Sequence, residues 1–256
     1  MSSHRWLLFE NSHLSLRRSP VNRFSNSKHM KIMTIRGRVL ALLITVLCAF
    51  FIAQGQTSSS ARSDNQQWND VQLAIPLSSK IDFTLLGTFR LGRDFEHPVD
   101  ERIGTGFTFK PNKYLTGTAA YLHIAMQPTS TREVLEERVL FPITLRVPVG
   151  KFFLSDRNQF EFRMRHPGGN STRYRNRLQV DHPVGKKEWH LLVFIADEVF
   201  YDWSFDAWVR NRASAGVTKV INKHLTADFY YLRQNDSHSS PGDLNVLGTA
   251  FRFKLD

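Results

Sequence analysis

The chain of 256 residues has a single cysteine, Cys48, and this scarcity excludes two classes of protein. Cys48 lies inside an apolar run, with Leu47 before it and more apolar residues after it, so it does not have the position of a lipidated cysteine. The chain that follows this run has no thiol. Disulfide-stapled folds and thiolate metal sites are therefore excluded there, and we expect neither a metal nor a cofactor.

A strong charge excess is also lacking once the N-terminal region is set aside. The whole chain carries a net charge of +11, but residues 1–55 contain eight of its 34 Lys and Arg residues and a single acidic residue, Glu10. The remainder, with 26 basic against 22 acidic residues, carries only +4. The basic composition therefore gives no reason to expect a nucleic-acid partner.

Residues 30–55 have the three parts of an export signal. A basic start at residues 31–38 precedes an uncharged apolar run of about fifteen residues, Val39–Ala53. Small residues at 53 and 55 then suit cleavage before Gln56. The alternative is a membrane anchor, which would need roughly twenty apolar residues. The sequence therefore predicts a cleaved signal peptide.

The segment ahead of the signal has no structural pattern. Residues 1–29 are polar and rich in arginine, and Met30 and Met33 stand directly before the basic start. We expect translation to begin at one of these methionines and residues 1–29 to be a misassigned upstream extension. Residues 56–67 would then form a short N-terminal segment ahead of the folded part of the chain.

From residue 68 onwards the chain has no stretch with helical period, and it alternates with period two instead. The last stretch puts Leu247, Thr249, Phe251, Phe253 and Leu255 on one face and Gly248, Ala250, Arg252 and Lys254 on the other. A strand with one aromatic and one polar face suits a wall between an apolar medium and water. The same alternation recurs at residues 81–91, 138–147, 160–165, 173–181 and 225–231.

Two kinds of connection, tight and longer, follow each other alternately along this part of the chain. The tight ones are Pro76–Lys80, Lys110–Lys113, Pro148–Lys151, Pro183–Lys187 and Val220–Lys223. The longer, polar ones are Gly92–Val99, Gln127–Arg132, His166–Thr172, Tyr201–Asp206 and Gln234–Asp243. Such asymmetry is typical of outer-membrane barrels, whose short turns are periplasmic.

The pattern predicts an all-β fold, a transmembrane antiparallel up-and-down β-barrel over residues 68–256. The alternating segments number about eleven, but bacterial single-chain barrels have an even number of strands. We therefore expect twelve strands, with ten as the alternative. A periplasmic or secreted calyx that binds a small apolar ligand has the same alternation with its faces exchanged, so it remains a second interpretation.

Two features of the sequence resemble known patterns. Gly248, Phe251 and Phe253 resemble the C-terminal signal that the barrel-assembly machinery recognises in outer-membrane proteins. Trp68 and the strands Glu161–Arg165, Tyr174–Arg177 and Tyr230–Arg233 resemble domain-of-unknown-function family 2490, whose members are predicted Gram-negative outer-membrane barrels with the habit E-x-R … Y-R-x-R. This resemblance implies the outer-membrane location and the barrel fold, and it implies no activity.

If the phenylalanine face contacts lipid, many charged side chains face the lumen. The predicted lumen-facing residues are Arg138, Arg146, Glu161, Arg163, Arg165, Arg173, Arg175, Arg177, Asp181, Arg210, Arg212, Asp228 and Arg252, with Glu136 and Glu198 as further acidic partners. Unpaired charges in a dry lumen would each cost several kcal/mol. The lumen is therefore either filled by interlocked arginine–carboxylate pairs, as in a structural protein, or a narrow porin-like pore with a weak anion preference.

An outer-membrane hydrolase is the remaining alternative, and the sequence gives it little support. A serine–histidine site needs a third group that orients the histidine. His123 has no serine nearby, His166 and Ser171 are separated in a loop, and Ser237-His238-Ser239 lies in a long polar loop. We therefore expect no enzyme and no catalytic residue. The expected partners are outer-membrane lipid and the barrel-assembly machinery, and a monomer is expected because no strand has an unusually polar outer face.

Overall fold

The computed structural model describes residues 63–256, and the predicted upstream extension and signal peptide lie outside this range. The described chain forms eleven strands and one short 3-10 helix, Lys187–Trp189. The strands are β1 (Asp64–Pro76), β2 (Ile81–Gly92), β3 (His97–Phe109), β4 (Leu115–Thr129), β5 (Arg132–Val149), β6 (Phe152–His166), β7 (Ser171–Val184), β8 (Leu191–Asp202), β9 (Ala207–Val220), β10 (Leu225–Asp236) and β11 (Leu244–Lys254). No helix within residues 63–256 is long and apolar enough to cross a membrane.

The strands form one closed barrel in chain order. Each strand pairs antiparallel with the next, and β1 closes the barrel by pairing in parallel with β11, from Asp64 opposite Leu244 to Ala74 opposite Lys254. The described residues therefore form eleven strands, where the sequence predicted twelve. The parity rule assumes antiparallel closure, and a parallel seam accommodates an odd number. β1 also begins at Asp64, ahead of the predicted start at residue 68.

We name the two rims of the barrel after the start of β1 and the end of β11. β1 begins at the N-terminal rim, which carries the connections 93–96, 130–131, 167–170, 203–206 and 237–243. β11 ends at the C-terminal rim, which carries the connections 77–80, 110–114, 150–151, 185–190 and 221–224. The predicted difference in length between the two sets is wrong, because both rims have connections of similar length.

This error arose because polar residues near the N-terminal rim were assigned to loops. β8 continues to Asp202 and β10 to Asp236, and both carboxylates are buried inside the barrel, where they pair with Arg163 and Arg210 respectively. A buried ion pair satisfies a polar side chain without requiring a loop. Composition alone therefore placed the strand ends too early.

Side-chain oxygens order several turns of the C-terminal rim. Ser78 accepts the backbone N–H groups of Lys80 and Ile81 at 3.2 and 3.1 Å. Asn112 accepts those of Tyr114 and Leu115, and Asn222 accepts those of His224 and Leu225, all at 2.8–3.0 Å. Asn and Ser commonly stabilise turns in this way. Gly150 begins the two-residue turn between β5 and β6 with φ of +64°, a conformation that favours glycine.

The parallel seam can be tested by a disulfide between Asn69 and Thr249. These residues are register partners on β1 and β11, and the Thr249 hydroxyl donates to Asn69 Oδ1 at 2.8 Å. In a Cys48→Ser background, Asn69→Cys with Thr249→Cys should form an intrachain disulfide. Because the bond closes a loop between residues 180 positions apart, the unreduced denatured chain should migrate faster on a gel.

The matched control pairs Asn69→Cys with Phe253→Cys, which lies further along β11 and is the register partner of Leu73. This pair should leave migration unchanged. A twelfth strand between β1 and β11 would separate Asn69 from Thr249, so failure of the first pair to link in folded protein would contradict the parallel closure.

Candidate functional site

The barrel wall has an apolar outer face and a charged inner face. On β6, Phe160, Phe162 and Met164 are 43–47% exposed, while Glu161 between them is fully buried. On β11, Phe253 is 39% exposed. A calyx would need these phenylalanines inside, so the arrangement is the opposite of what the calyx interpretation requires. The inner face is the candidate site, because the chain gathers its buried charges there.

Glu161 lies at the centre of the inner charges. Its Oε2 accepts Arg173 Nη2 at 2.6 Å, and its Oε1 accepts Arg175 Nη1 at 2.7 Å and Gln159 Nε2 at 2.6 Å. Arg138 Nη1 lies 3.6 Å from Oε1. These partners come from β5, β6 and β7, so one carboxylate links three strands.

Glu136 and Glu198 extend this arrangement to both sides. Glu136 accepts Arg138 Nε at 2.6 Å and Arg163 Nη2 at 2.9 Å, and Arg163 also donates to Asp202 at 3.2 Å. Glu198 on β8 accepts Arg175 Nη2 at 2.8 Å and Arg157 Nη2 at 2.7 Å. We call Glu136, Glu161, Glu198, Arg138, Arg163, Arg173 and Arg175 the central network.

Two aromatic side chains fill the space beside the central network. Phe200 is fully buried on the inner face, with the guanidinium carbons of Arg173, Arg175, Arg210 and Arg212 at 4.6–5.4 Å from its ring centroid. Trp68 is 3% exposed and stacks with Arg90 at 3.7 Å and Arg212 at 4.7 Å. Arginine stacks favourably on aromatic faces, and here the rings remove space that water would occupy.

Further ion pairs lie between the central network and the N-terminal rim. Asp100 accepts Arg90 Nη1 at 3.2 Å and Arg102 Nε at 2.6 Å. Arg210 donates to Asp236. Buried apolar side chains pack among these charges in two clusters, one of Trp68, Leu232, Leu244 and Val246 and the other of Ala120, Leu122, Ile124 and Leu140. This half of the lumen is therefore closely packed.

The half of the lumen near the C-terminal rim is more open. Arg146 pairs with Asp181 at 3.1 Å, yet 46% of the Arg146 side chain is exposed. Arg252 pairs with Asp228 and is 43% exposed. Smaller side chains such as Thr84 and Thr118 line the wall here, and each contacts Thr108. The guanidinium groups of Arg146 and Arg252 are therefore open to solvent near the C-terminal rim.

The structure places the predicted lumen residues along the inner face in three regions. Arg138, Glu161, Arg163, Arg173 and Arg175 belong to the central network, with Arg210 and Arg212 beside Phe200. Arg146, Asp181, Asp228 and Arg252 form pairs in the open half, and Arg177 bonds to Gln179 at 3.0 Å. Arg165 lies near the N-terminal rim, where it donates to the carbonyl of Gly169 at 3.1 Å.

Sequence reasoning missed several inner residues. Phe200 and Trp68 were assigned to neither face, because the alternating segments recognised in the sequence did not include β1 or β8. Arg157 was also missed, although it lies four positions before Glu161 on the same side of β6. Strict alternation along β6 and β8 would have identified Arg157 and Phe200, since Phe200 shares its parity with Glu198.

The proposed terminal signal residues have distinct surroundings. Gly248 faces inward against the ring of Tyr230, where an added Cβ would lie 2.1 Å from Tyr230 Cζ. Phe251 packs edge-on against Phe229 with ring centroids 6.3 Å apart. Gly248 therefore makes room for Tyr230 inside the barrel, a packing role that is independent of any recognition signal.

Among the histidines of residues 63–256, His238 contacts a serine. Ser237 Oγ lies 2.7 Å from His238 Nδ1, and the His238 ring packs on Phe205 with centroids 4.4 Å apart. The loop holds this pair more firmly than expected, since Asp236 Oδ1 accepts the His238 backbone N–H at 2.7 Å. Among residues 63–256, no carboxylate contacts the His238 ring, and no group of three potential metal ligands occurs.

Comparison with solved structures finds distant barrels. An anion-selective porin from Comamonas acidovorans is 14% identical, with a TM-score of 0.37 over 69% of this chain and 54% of that chain. LpxR from Salmonella typhimurium is 7% identical, with a TM-score of 0.40 over 68% of this chain and 83% of that chain. The chain thus spans about half the length of the porin. No curated protein sequence matches it.

One sequence family does match. The model of the family described as "Protein of unknown function (DUF2490)" covers residues 65–245, which is nearly the whole barrel. The predicted resemblance to this family is confirmed, and the chain belongs to DUF2490.

Proposed function

We propose that the protein is an outer-membrane β-barrel with a closed lumen, and that it serves as a structural membrane protein with no through-pore at rest. Its outer face supports the membrane location, because large apolar side chains are exposed on nearly every strand. An apolar surface of this extent is unusual for a soluble monomer and normal for a lipid-facing wall. The export signal predicted at residues 30–55 supports the same compartment.

The burial of the central network carries the proposal of a closed lumen. In a water-filled pore, lining side chains remain accessible to solvent. Glu136, Glu161 and Phe200 have no exposed surface, and Glu198 and Trp68 are only 2–3% exposed. Barrels of about this strand number are close to narrow enough for side chains to fill. The lumen would therefore be closed at the level of Glu161.

The charge balance of the lumen favours anions wherever ions enter. The central network contains four arginines and three carboxylates, and adding the neighbouring Arg157, Arg210, Arg212, Asp202 and Asp236 gives seven arginines and five carboxylates. An excess of positive charge attracts anions and repels cations. The open half of the lumen would be a vestibule in which Arg146 pairs with Asp181 and Arg252 with Asp228. The anion preference would apply to any pathway through the network.

We further propose that the C-terminal rim faces the periplasm. The barrel-assembly machinery acts from that side, and Gly248, Phe251 and Phe253 on β11 have the spacing of its signal. The assembly machinery and outer-membrane lipid would then be the protein's partners. The wet vestibule would open to the periplasm, and the packed half would lie toward the outer leaflet.

Planar-bilayer recording tests the closed lumen. The wild-type protein should give no channel steps, because the central network and its two aromatic residues block the lumen. Replacing Phe200 and Trp68 together by alanine should produce steps that favour chloride over potassium, since arginines surround the space that opens. Phe160→Ala on the outer face is the control and should give no channel steps. Regular steps from the wild-type protein would refute the closed lumen.

Unfolding in urea tests the contribution of the central network. Glu161→Gln keeps the side-chain shape but leaves Arg173 without a charged partner, while Arg138 keeps Glu136 and Arg175 keeps Glu198. Removing one member of a buried ion pair costs about 3–5 kcal/mol, so the free energy of unfolding should fall by that amount. Asp256→Asn, which removes the exposed partner of Lys223 at the C-terminal rim, should cost about 1 kcal/mol or less. Equal losses in both variants would show that burial does not strengthen the network.

A further inference from the structure

The outer face carries a polar cluster in the middle of its apolar band. Asp156 and Asn158 on β6, Asn176 on β7, Asp197 on β8 and Asn211 on β9 all alternate with inward residues, so they point outward. Amide and carboxylate groups there would face hydrocarbon in a lone barrel, where unsatisfied polar groups are costly. We call these five residues the outer polar cluster.

Within the outer polar cluster, the register places two carboxylates beside one leucine. Leu178 on β7 is the direct partner of Asp156 on one side and Asp197 on the other. Leu178 itself is 47% exposed. Two carboxylates therefore flank one leucine on the outer wall. Toward the C-terminal rim, the next outward residues are Val180 on β7 and Ile195 on β8.

Aromatic residues lie on the other side of the cluster, toward the N-terminal rim. Tyr174, Tyr201, Trp203 and Trp208 form a connected group, with ring centroids of successive contacts 5.3–6.4 Å apart. Aromatic rings of this kind mark the interface between lipid tails and headgroups in barrels. The outer polar cluster thus lies inside the band that such rings delimit, where water does not reach.

Hydrogen bonds within the cluster satisfy only part of its capacity. Asp156 accepts Asn176 Nδ2 at 2.6 Å and Asn158 Nδ2 at 3.0 Å, and Asp197 accepts Asn211 Nδ2 at 2.8 Å. A carboxylate has about four acceptor positions, and each amide nitrogen has two hydrogens. Spare acceptors therefore remain on Asp156 and Asp197, and Asn158 and Asn211 each retain a spare amide hydrogen.

We propose that this wall, β6 to β9, is the contact surface for a second copy of the same chain. A two-fold contact brings one patch against itself, so the patch must contain both donors and acceptors. The outer polar cluster has both. A basic partner would use the carboxylates but leave the amide hydrogens of Asn158 and Asn211 unpaired. Polar side chains commonly hold segments together within membranes in this way.

This inference rests on the proposed membrane location, and it differs from the monomer expected from the sequence. That expectation assumed that no strand has an unusually polar outer face. The polar residues are spread over four strands, with one or two on each, so no single strand is conspicuous. They become a cluster only when the register sets the strands side by side.

Cysteine cross-linking in outer membranes tests the dimer. In a Cys48→Ser background, Leu178→Cys lies at the centre of the patch and should form a disulfide-linked dimer under mild oxidation. The control is Leu85→Cys on β2, across the barrel, which is similarly exposed at 41%. Because a fixed contact raises the local concentration of the second thiol, dimer yield should be on the order of tenfold higher for Leu178→Cys.

Heat-modifiable gel migration of the same samples reports whether each variant is folded and inserted. If Leu178→Cys does not fold, Ile195→Cys on the adjacent strand takes its place. Inserted protein that yields no dimer, equal yields from both positions, or a link to a different protein would overturn the two-fold contact. Absence of the protein from the outer membrane would instead overturn the proposed location.

Discussion

Charged side chains enclosed in a barrel must find partners, and this constraint organises the inside of the molecule. An arginine and a carboxylate in a poorly hydrated space need close geometry and additional hydrogen bonds to offset their lost hydration. Here the carboxylates of Glu161 and Glu198 each receive donors from several strands. The pairs therefore act as cross-links between β5, β6, β7 and β8, and they add side-chain bonds to a register that the backbone ladder already fixes.

The buried aromatic rings fill the space around the ion pairs. Phe200 contacts four guanidinium groups, and its ring lets them approach without bringing in bulk water. Arginine is suited to this because its planar group stacks on a ring and still donates at its edge. Lysine would satisfy the charge but would lose the stacking. The chain's preference for arginine at inner positions of β6, β7 and β9 follows from that geometry.

The sequence was sufficient to predict an all-β barrel and the family, and it failed where more than one strand had to be known at once. Alternation is a local property, so β6 and β7 were recognised correctly from their own residues. Closure is not local, because the residues of β1 and β11 contain no pattern that predicts their parallel pairing. Asp202 and Asp236 likewise resemble loop residues until their arginine partners on other strands are known. Phe200 was missed because the alternation of β8 was not among the segments recognised in the sequence.

The connections at both rims contain few residues, and this limits the loop surface to which other molecules can bind. Elaborate surface loops usually provide a barrel's variable contacts, as sites for antibodies, adhesion or capture of solutes. Within residues 63–256, little of the chain extends beyond the ends of its strands. The side of the barrel wall therefore offers more surface for contacts with other molecules than the rims do.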